Sequence, residues 1–476
     1  VMKRLFSLVL LLSALGATPA LALTFDEARH LLARTGFGQP ARVEIERLMQ
    51  YSHESAVEEI FGLVLSQPKT QPPSDIDEPL PTQASRKSMD DKEKKDFRQD
   101  MHERNLALKS WWWGEMLAAD SPFTEHMVLF WHNYFTSSLK KVKWPGFIYR
   151  QNLLFRQHAL GNYGQLLKEI VRDPAMVLYL DSQSNRKGQP NENFARELME
   201  LFTLGEGNYS EQDVKEAARA FTGWAFDPKL GEVTFNPKRH DAGSKKVLGQ
   251  IVQSGDDVIE LLLSRPETAR HLVEKLWRDL ISPEPDAAEV QRLAALLRDG
   301  NYEIRPVLKA MLTLDAFWAP ENRGALVKSP VDVIVGTLRL LGYRKTDEKR
   351  LAQLGRQLGQ DLFDPPNVKG WPGGTAWITT ATLSMREQFL RRILRGREGE
   401  GRDEGLGAGY NPLAIDNPGV MPSLADLDRA ATPKAVQTMQ RLLMSVPPVD
   451  PPKPVEGASL RQSALHLLLD PAYQVK

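Results

Sequence analysis

The stretch DPAMVLYLDSQSNRKGQPNENFARELMELFTLGEGNYSEQDVKEAARAFTGW, residues 173–224, interleaves apolar positions at helical spacing with Asp181, Asn185, Asn191, Glu192, Asn193, Arg196, Glu197 and Glu200. Pro190-Asn191-Glu192 reads as a helix start, and Phe194, Leu198 and Leu201 supply its apolar stripe. Glu192, Arg196 and Glu200 stand four apart on another face, the spacing of alternating salt bridges. Ser210 and Asp213 have capping-box spacing at the head of a further helix that runs to about Thr222. Charge set among buried apolar positions is costly unless it is paired or bound. The block is therefore either the organising polar network of a helical fold or its functional site.

Outward from this block the helical period continues. Helices are expected over Leu23–Leu32, Ala41–Tyr51, Ser55–Leu65 and Asp90–Ala119, the last carrying Trp111, Trp112 and Trp113 as core residues. Ser121-Pro122 opens another with a capping side chain and a first-turn proline. Helices resume from Asp256, recur to about Leu341, and return at Leu351–Leu358 and Thr382–Arg395. Pro365–Gly374 is a rigid loop. The expected fold is mainly α: one large multi-helix domain over 23–395, with 66–88 as a surface loop and one short β-hairpin-like insertion at Glu232–Gly249. A glycine-rich flexible linker over 396–412 leads to a tethered C-terminal helical extension, 413–476, with stretches near Leu424–Ala431 and Pro433–Leu443 and a last helix.

The first 22 residues combine Lys3 and Arg4, an apolar run and Ala20-Leu21-Ala22, the pattern of a cleaved secretory signal. A periplasmic or secreted protein is expected, without a transmembrane anchor after cleavage. The chain has no cysteine, which excludes disulfides, thiolate metal sites and cysteine nucleophiles. Its 61 basic residues balance 61 acidic ones, so bulk charge points to no nucleic-acid partner.

The motifs WHNYF (131–135), RDPAMVLYLD (172–181), PNENFARELMELFTLGEGNYSEQDVKEAARAFTGW (190–224), HDAGSKKVLG (240–249) and GWPGG with Trp377 (370–377) closely resemble the bacterial domain of unknown function 1800 family. The resemblance runs from about Leu31 to the C-terminus and implies no established activity. It implies as partner an exported phosphatase- or sulfatase-like protein encoded by a neighbouring gene. Where the family commonly has a second histidine in WHNHF, this chain has Tyr134. Residues two apart on a helix point to different sides, so His132 and position 134 are a poor chelating pair.

Several chemistries fit the residue types. A divalent cation, the candidate cofactor, would take Glu197, Glu200 and His132 as ligands, with the His240-Asp241 pair in reach. No Glu-x-x-His or His-Glu-x-x-His signature accompanies them. The competing reading is a buried ion-pair network of Arg196 and the glutamates that sets helix register, joined by Asn191, Asn193, Asp181 and Trp224. A calcium site without EF-hand geometry would use Asp181, Asn185 and Glu192. Acid–base hydrolysis of a glycosidic bond would use Glu192 with Asp241, and Trp131, Trp224, Trp371 and Trp377 suit sugar stacking as well as core packing. His240, next to Asp241 in an irregular segment, is the leading candidate catalytic histidine, with His132 next. The first functional expectation is a hydrolase using His240, Asp241, His132 and Glu192. The alternative is a non-catalytic envelope binding or assembly protein.

Overall fold

Helix starts follow the local chemistry. Ser121 accepts a hydrogen bond from the Thr124 amide and Pro122 occupies the first turn, which opens the helix Pro122–Tyr134. Ser210 and Asp213 cap each other's backbone amides at the head of Glu211–Ala220. Asp90 does the same with Glu93 for the long helix Asp91–Ala118. These are features of a computed structural model that describes residues 21–79, 81, 83–227, 231–343, 346–395, 427, 430–452 and 459–476. Residues 1–20 of the expected signal segment, the expected 396–412 linker and most of the expected helical stretch 424–431 lie outside the described residues. Among the described residues no helix is long and apolar enough to cross a membrane.

The molecule is mainly α-helical, as its periodicity indicates. Trp111, Trp112 and Trp113 are all buried. A buried indole removes some 150–250 Å² from water, roughly 4–6 kcal/mol of gross stabilisation each. Asp91–Ala118 packs along Glu348–Gln357, where a Cβ added to Gly355 would lie 2.3 Å from Trp113 Cζ2. Pro122–Tyr134 crosses Pro145–Gln157, and a bidentate Arg156–Glu125 ion pair is fully buried between them. Trp112 Nε1 donates to the same carboxylate at 3.0 Å.

Where one hairpin was expected, the described residues hold two antiparallel two-stranded sheets. The first begins earlier than the sequence suggested, pairing β1 (Trp224–Asp227) with β2 (Glu232–Phe235). The second pairs β3 (Lys245–Val247) with β4 (Gln250–Val252). The expected 66–88 loop also contains a short helix, Gln83–Ser88.

The described part of the C-terminal extension is built into the body. Arg29 donates to the carbonyls of Met444 and Ser445, and Gln39 to that of Leu443. Residues 474–476 pair with 326–328 through backbone hydrogen bonds of 2.8–3.3 Å. Tyr473 is fully buried and shares a 2.7 Å hydrogen bond with Thr337. Lys328 Nζ sits 3.7 Å from the centre of the Tyr473 ring with no hydrogen-bond acceptor. Lys476 meets the buried Asp332 at 2.9 Å.

Candidate functional site

The loop 181–191 is held together by its asparagines. Asp181 takes a left-handed conformation, φ 57°, and its carbonyl accepts from Ser184 Oγ and from Asn191 Nδ2 at 3.0 Å. Asn191 Oδ1 caps the helix Glu192–Glu197 through the Asn193 amide. Asn193 Nδ2 donates to the Leu180 carbonyl. The buried Asn185 spans the loop, donating to Ala218 O and accepting from the Asn191 amide. A calcium site on Asp181, Asn185 and Glu192 is not formed: Asp181's carboxylate is 2.7 Å from Lys141, and Asn185's oxygen is already used.

The expected ladder of Glu192, Arg196 and Glu200 breaks because the helix changes pitch. Leu198–Thr203 is a π-helix, a form whose wider turn rotates everything after Glu197 out of the 3.6-residue register. Arg196 instead grips Glu211 with two 2.7 Å bonds and reaches Glu192 at 3.4 Å. This cluster is partly exposed, so the expectation of a buried ion-pair network is corrected. Glu200 accepts from Tyr209 at 3.0 Å and pairs with Lys369 at 3.3 Å. Glu197 has no direct hydrogen-bond or ion-pair partner among the described residues. Burial, reinforced by the charge of Glu200, raises its carboxyl above the ordinary range.

His132 lies elsewhere, enclosed by Trp112, Phe155, Phe363 and Trp371 with ring centres 5.4–6.4 Å away. It is fully buried, its Nε2 has no partner, and desolvation holds its pKa down to about 3. It is a neutral ring in an apolar cage. Its neighbour Asn133 links two motifs, accepting at Oδ1 from the Trp371 amide at 2.7 Å. Among the described residues no three His, Asp or Glu side chains are placed to share a cation. The ligand set of His132, Glu197 and Glu200 is thus not assembled in the fold.

His240 is oriented by the backbone, not by Asp241. Its Nδ1 lies 2.8 Å from the Thr222 carbonyl. A carbonyl can only accept, so Nδ1 carries a proton and donates. Asp241 turns away to Arg219 Nε at 2.8 Å and accepts from the Gly243 amide. The hydrogen bond from Arg219 pulls its pKa down to about 2, which removes it as a proton donor near neutrality. Of the four tryptophans weighed for sugar stacking, Trp131, Trp371 and Trp377 are buried. Only Trp224, the first residue of β1, is partly exposed.

One concavity coincides with the block. An open groove of about 660 Å³ is lined by Ser184, Arg186, Gln189, Pro190, Asn191, Glu192, Asn193 and Arg196. A second depression, between Phe37, Phe123 and Arg339, holds about 40 Å³, space for water alone.

A family model described as "Protein of unknown function (DUF1800)" matches residues 30–475. The chain belongs to the DUF1800 family. No curated protein and no solved structure matches it. In this DUF1800 chain the shared motifs of the sequence fall into two kinds of place. WHNYF and GWPGG meet each other in the interior through Asn133 and Gly370, where a Cβ on Gly370 would lie 2.2 Å from Asn133 Oδ1. The NEN block and HDAG lie toward solvent, and the segments just before them are joined by hydrogen bonds from Arg239 to Gln183 and from the Lys187 amide to Arg239. Sequence reasoning missed the triad of Lys109 with Asp361 and Asp364, the latter also holding Ser138. The partners stand more than 200 residues apart in sequence, so no local pattern announces them. Chemically, the groove offers amides, guanidinium groups and a carboxylate to a hydroxyl-bearing ligand. Outside the groove lining, on the same helix, Glu197 offers a carboxyl inclined to hold its proton.

Proposed function

We propose that this DUF1800 chain is an exported, non-catalytic binding protein of the cell envelope whose ligand seats in the groove of Ser184–Arg196. The observation that carries the reading is that the polar block faces an open groove of hydrogen-bonding side chains. The groups a hydrolase would combine stand apart: His132 is caged, Asp241 is tied to Arg219, and Glu192 is bound to Arg196. Rigid loops that present polar groups are where recognition concentrates. The exported phosphatase- or sulfatase-like neighbour is the proposed protein partner. The test is hydrogen exchange by mass spectrometry on the whole chain with and without a purified envelope-polymer fraction. Protection over 184–196, abolished by filling the groove with Asn193→Trp, is the expected result. Protection confined to other segments would sink the reading.

A second reading, hydrolysis, is favoured by one observation: Glu197 is half-buried, lacks a direct partner and has a raised pKa beside Glu200. Under it, Glu197→Gln abolishes product release from a polysaccharide or ester substrate while circular dichroism stays unchanged. Equal turnover by the variant would remove Glu197 from the chemistry.

A further inference from the structure

The side chains beside the groove form two further features. Arg186, Lys187, Lys238 and Arg239 come together where the 181–191 loop meets the segment after β2, joined by the 2.8 Å hydrogen bond from the Lys187 amide to the Arg239 carbonyl. Arg186, Lys187 and Lys238 are exposed. None of the four forms an ion pair among the described residues. Arg186 is held by Gln189 and Arg239 by the Gln183 carbonyl. On the adjoining hairpin, Phe235 lies between Trp224 and His240 with ring centres 5.2 and 5.4 Å apart. Phe235 is 44% exposed, although aromatic side chains of this size are ordinarily covered. Arg172 stacks on Trp224 at 4.7 Å, which stiffens the platform.

We infer that the groove, the basic ridge and this aromatic strip form one continuous site for an acidic polysaccharide. The inference rests on the groove being the binding site and adds the class of ligand. Each feature selects part of that chemistry. Flat rings with an exposed face take the apolar face of a sugar ring. Unpaired cations select a polymer with carboxylate or sulfate groups. Glu192 and the amides of Gln189 and Asn193 in the groove need hydroxyl groups that both donate and accept. A DNA backbone offers no donors to Glu192, and its dense charge meets Glu192, Glu211 and Asp241 near the ridge. A sparsely charged, hydroxyl-rich chain satisfies all three features.

The experiment is calorimetric titration of the whole chain with polygalacturonate, a sulfated glycan, neutral dextran, poly-glutamate and single-stranded oligo-dT. Expected is binding of one or both acidic glycans. Carboxylate and sulfate are told apart by which of the two binds more tightly. Lys187→Gln and Lys238→Gln, at exposed positions, should each weaken binding about fivefold, the upper worth of an exposed ion pair. Phe235→Ser should weaken it at every ionic strength. The lysine effects should vanish in about 1 M salt, where the Debye length is about 3 Å. Equal binding of dextran, or of oligo-dT or poly-glutamate without dependence on Phe235, overturns the acidic-glycan assignment. So does no binding of any glycan. In each case protection of 184–196 by the envelope fraction still stands or falls separately and decides the groove itself.

Discussion

Gly370 shows how one residue joins distant motifs. Its φ of 82° lies in the left-handed region, and its missing side chain lets Asn133 approach to accept from the Trp371 amide. Gly370→Ala should cost about 2 kcal/mol or more, from backbone strain and the displaced hydrogen bond. Denaturant unfolding measures it, and a neutral result would mean that the loop is not needed to hold Trp371 over His132. Asp241 gives a pH-dependent case. Its folded pKa of about 2 lies below the ordinary carboxylate value, so its contribution is fully present above that value and is lost as pH falls toward 2. Asp241→Asn should lower stability by about 1 kcal/mol at neutral pH, allowing for solvent screening, and the gap should narrow below the ordinary carboxylate value and close only as pH reaches about 2. Thermal unfolding over a pH series checks both the size and the sign.

At the level of elements, the caps were legible and the pitch was not. Ser121-Pro122 and Ser210 with Asp213 mark helix starts because short side chains satisfy free amides wherever they precede a periodic run. The π-helix at Leu198–Thr203 has no such marker. Its wider turn is stabilised by tertiary packing, so the face on which Glu200 lands could not be read from spacing. The same limit hid the pairing of Arg156 with Glu125, which depends on how two helices cross. Both groups are fully buried and the pair is reinforced by Trp112. Arg156→Met should therefore cost about 3–5 kcal/mol by stranding Glu125, whose carboxyl burial already pushes upward. Adding Glu125→Gln should restore part of the loss. A double-mutant cycle in which the two changes simply add would show that the pair is not coupled.

For the whole molecule, the sequence announced a helical protein with a polar centre of interest. It could not say that this centre opens to solvent, because burial depends on what the rest of the chain covers. His132 and Glu197 stood together as candidate metal ligands, and only the fold separates a caged ring from a half-exposed carboxyl. The extension read as tethered because glycine and charge precede it, yet its last residues complete the core beside Lys328 and Asp332. Removing residues 471–476 should abolish cooperative unfolding or lower the melting temperature sharply, since it uncovers Tyr473's place and leaves Asp332 without Lys476. A scan showing an unchanged transition would mean that the segment is dispensable.

Lys328 turns that closure into something that can be timed. Burial lowers its ammonium well below the ordinary range, so the amine is largely stripped of its charge-holding solvent while the Tyr473 ring covers it. An acylating reagent in solution cannot reach it until residues 473–476 lift. The mass increment appearing on the peptide that contains Lys328, followed against time, then counts the openings of the C-terminal segment one molecule at a time. Lysines on the surface record only the reagent's own reaction rate.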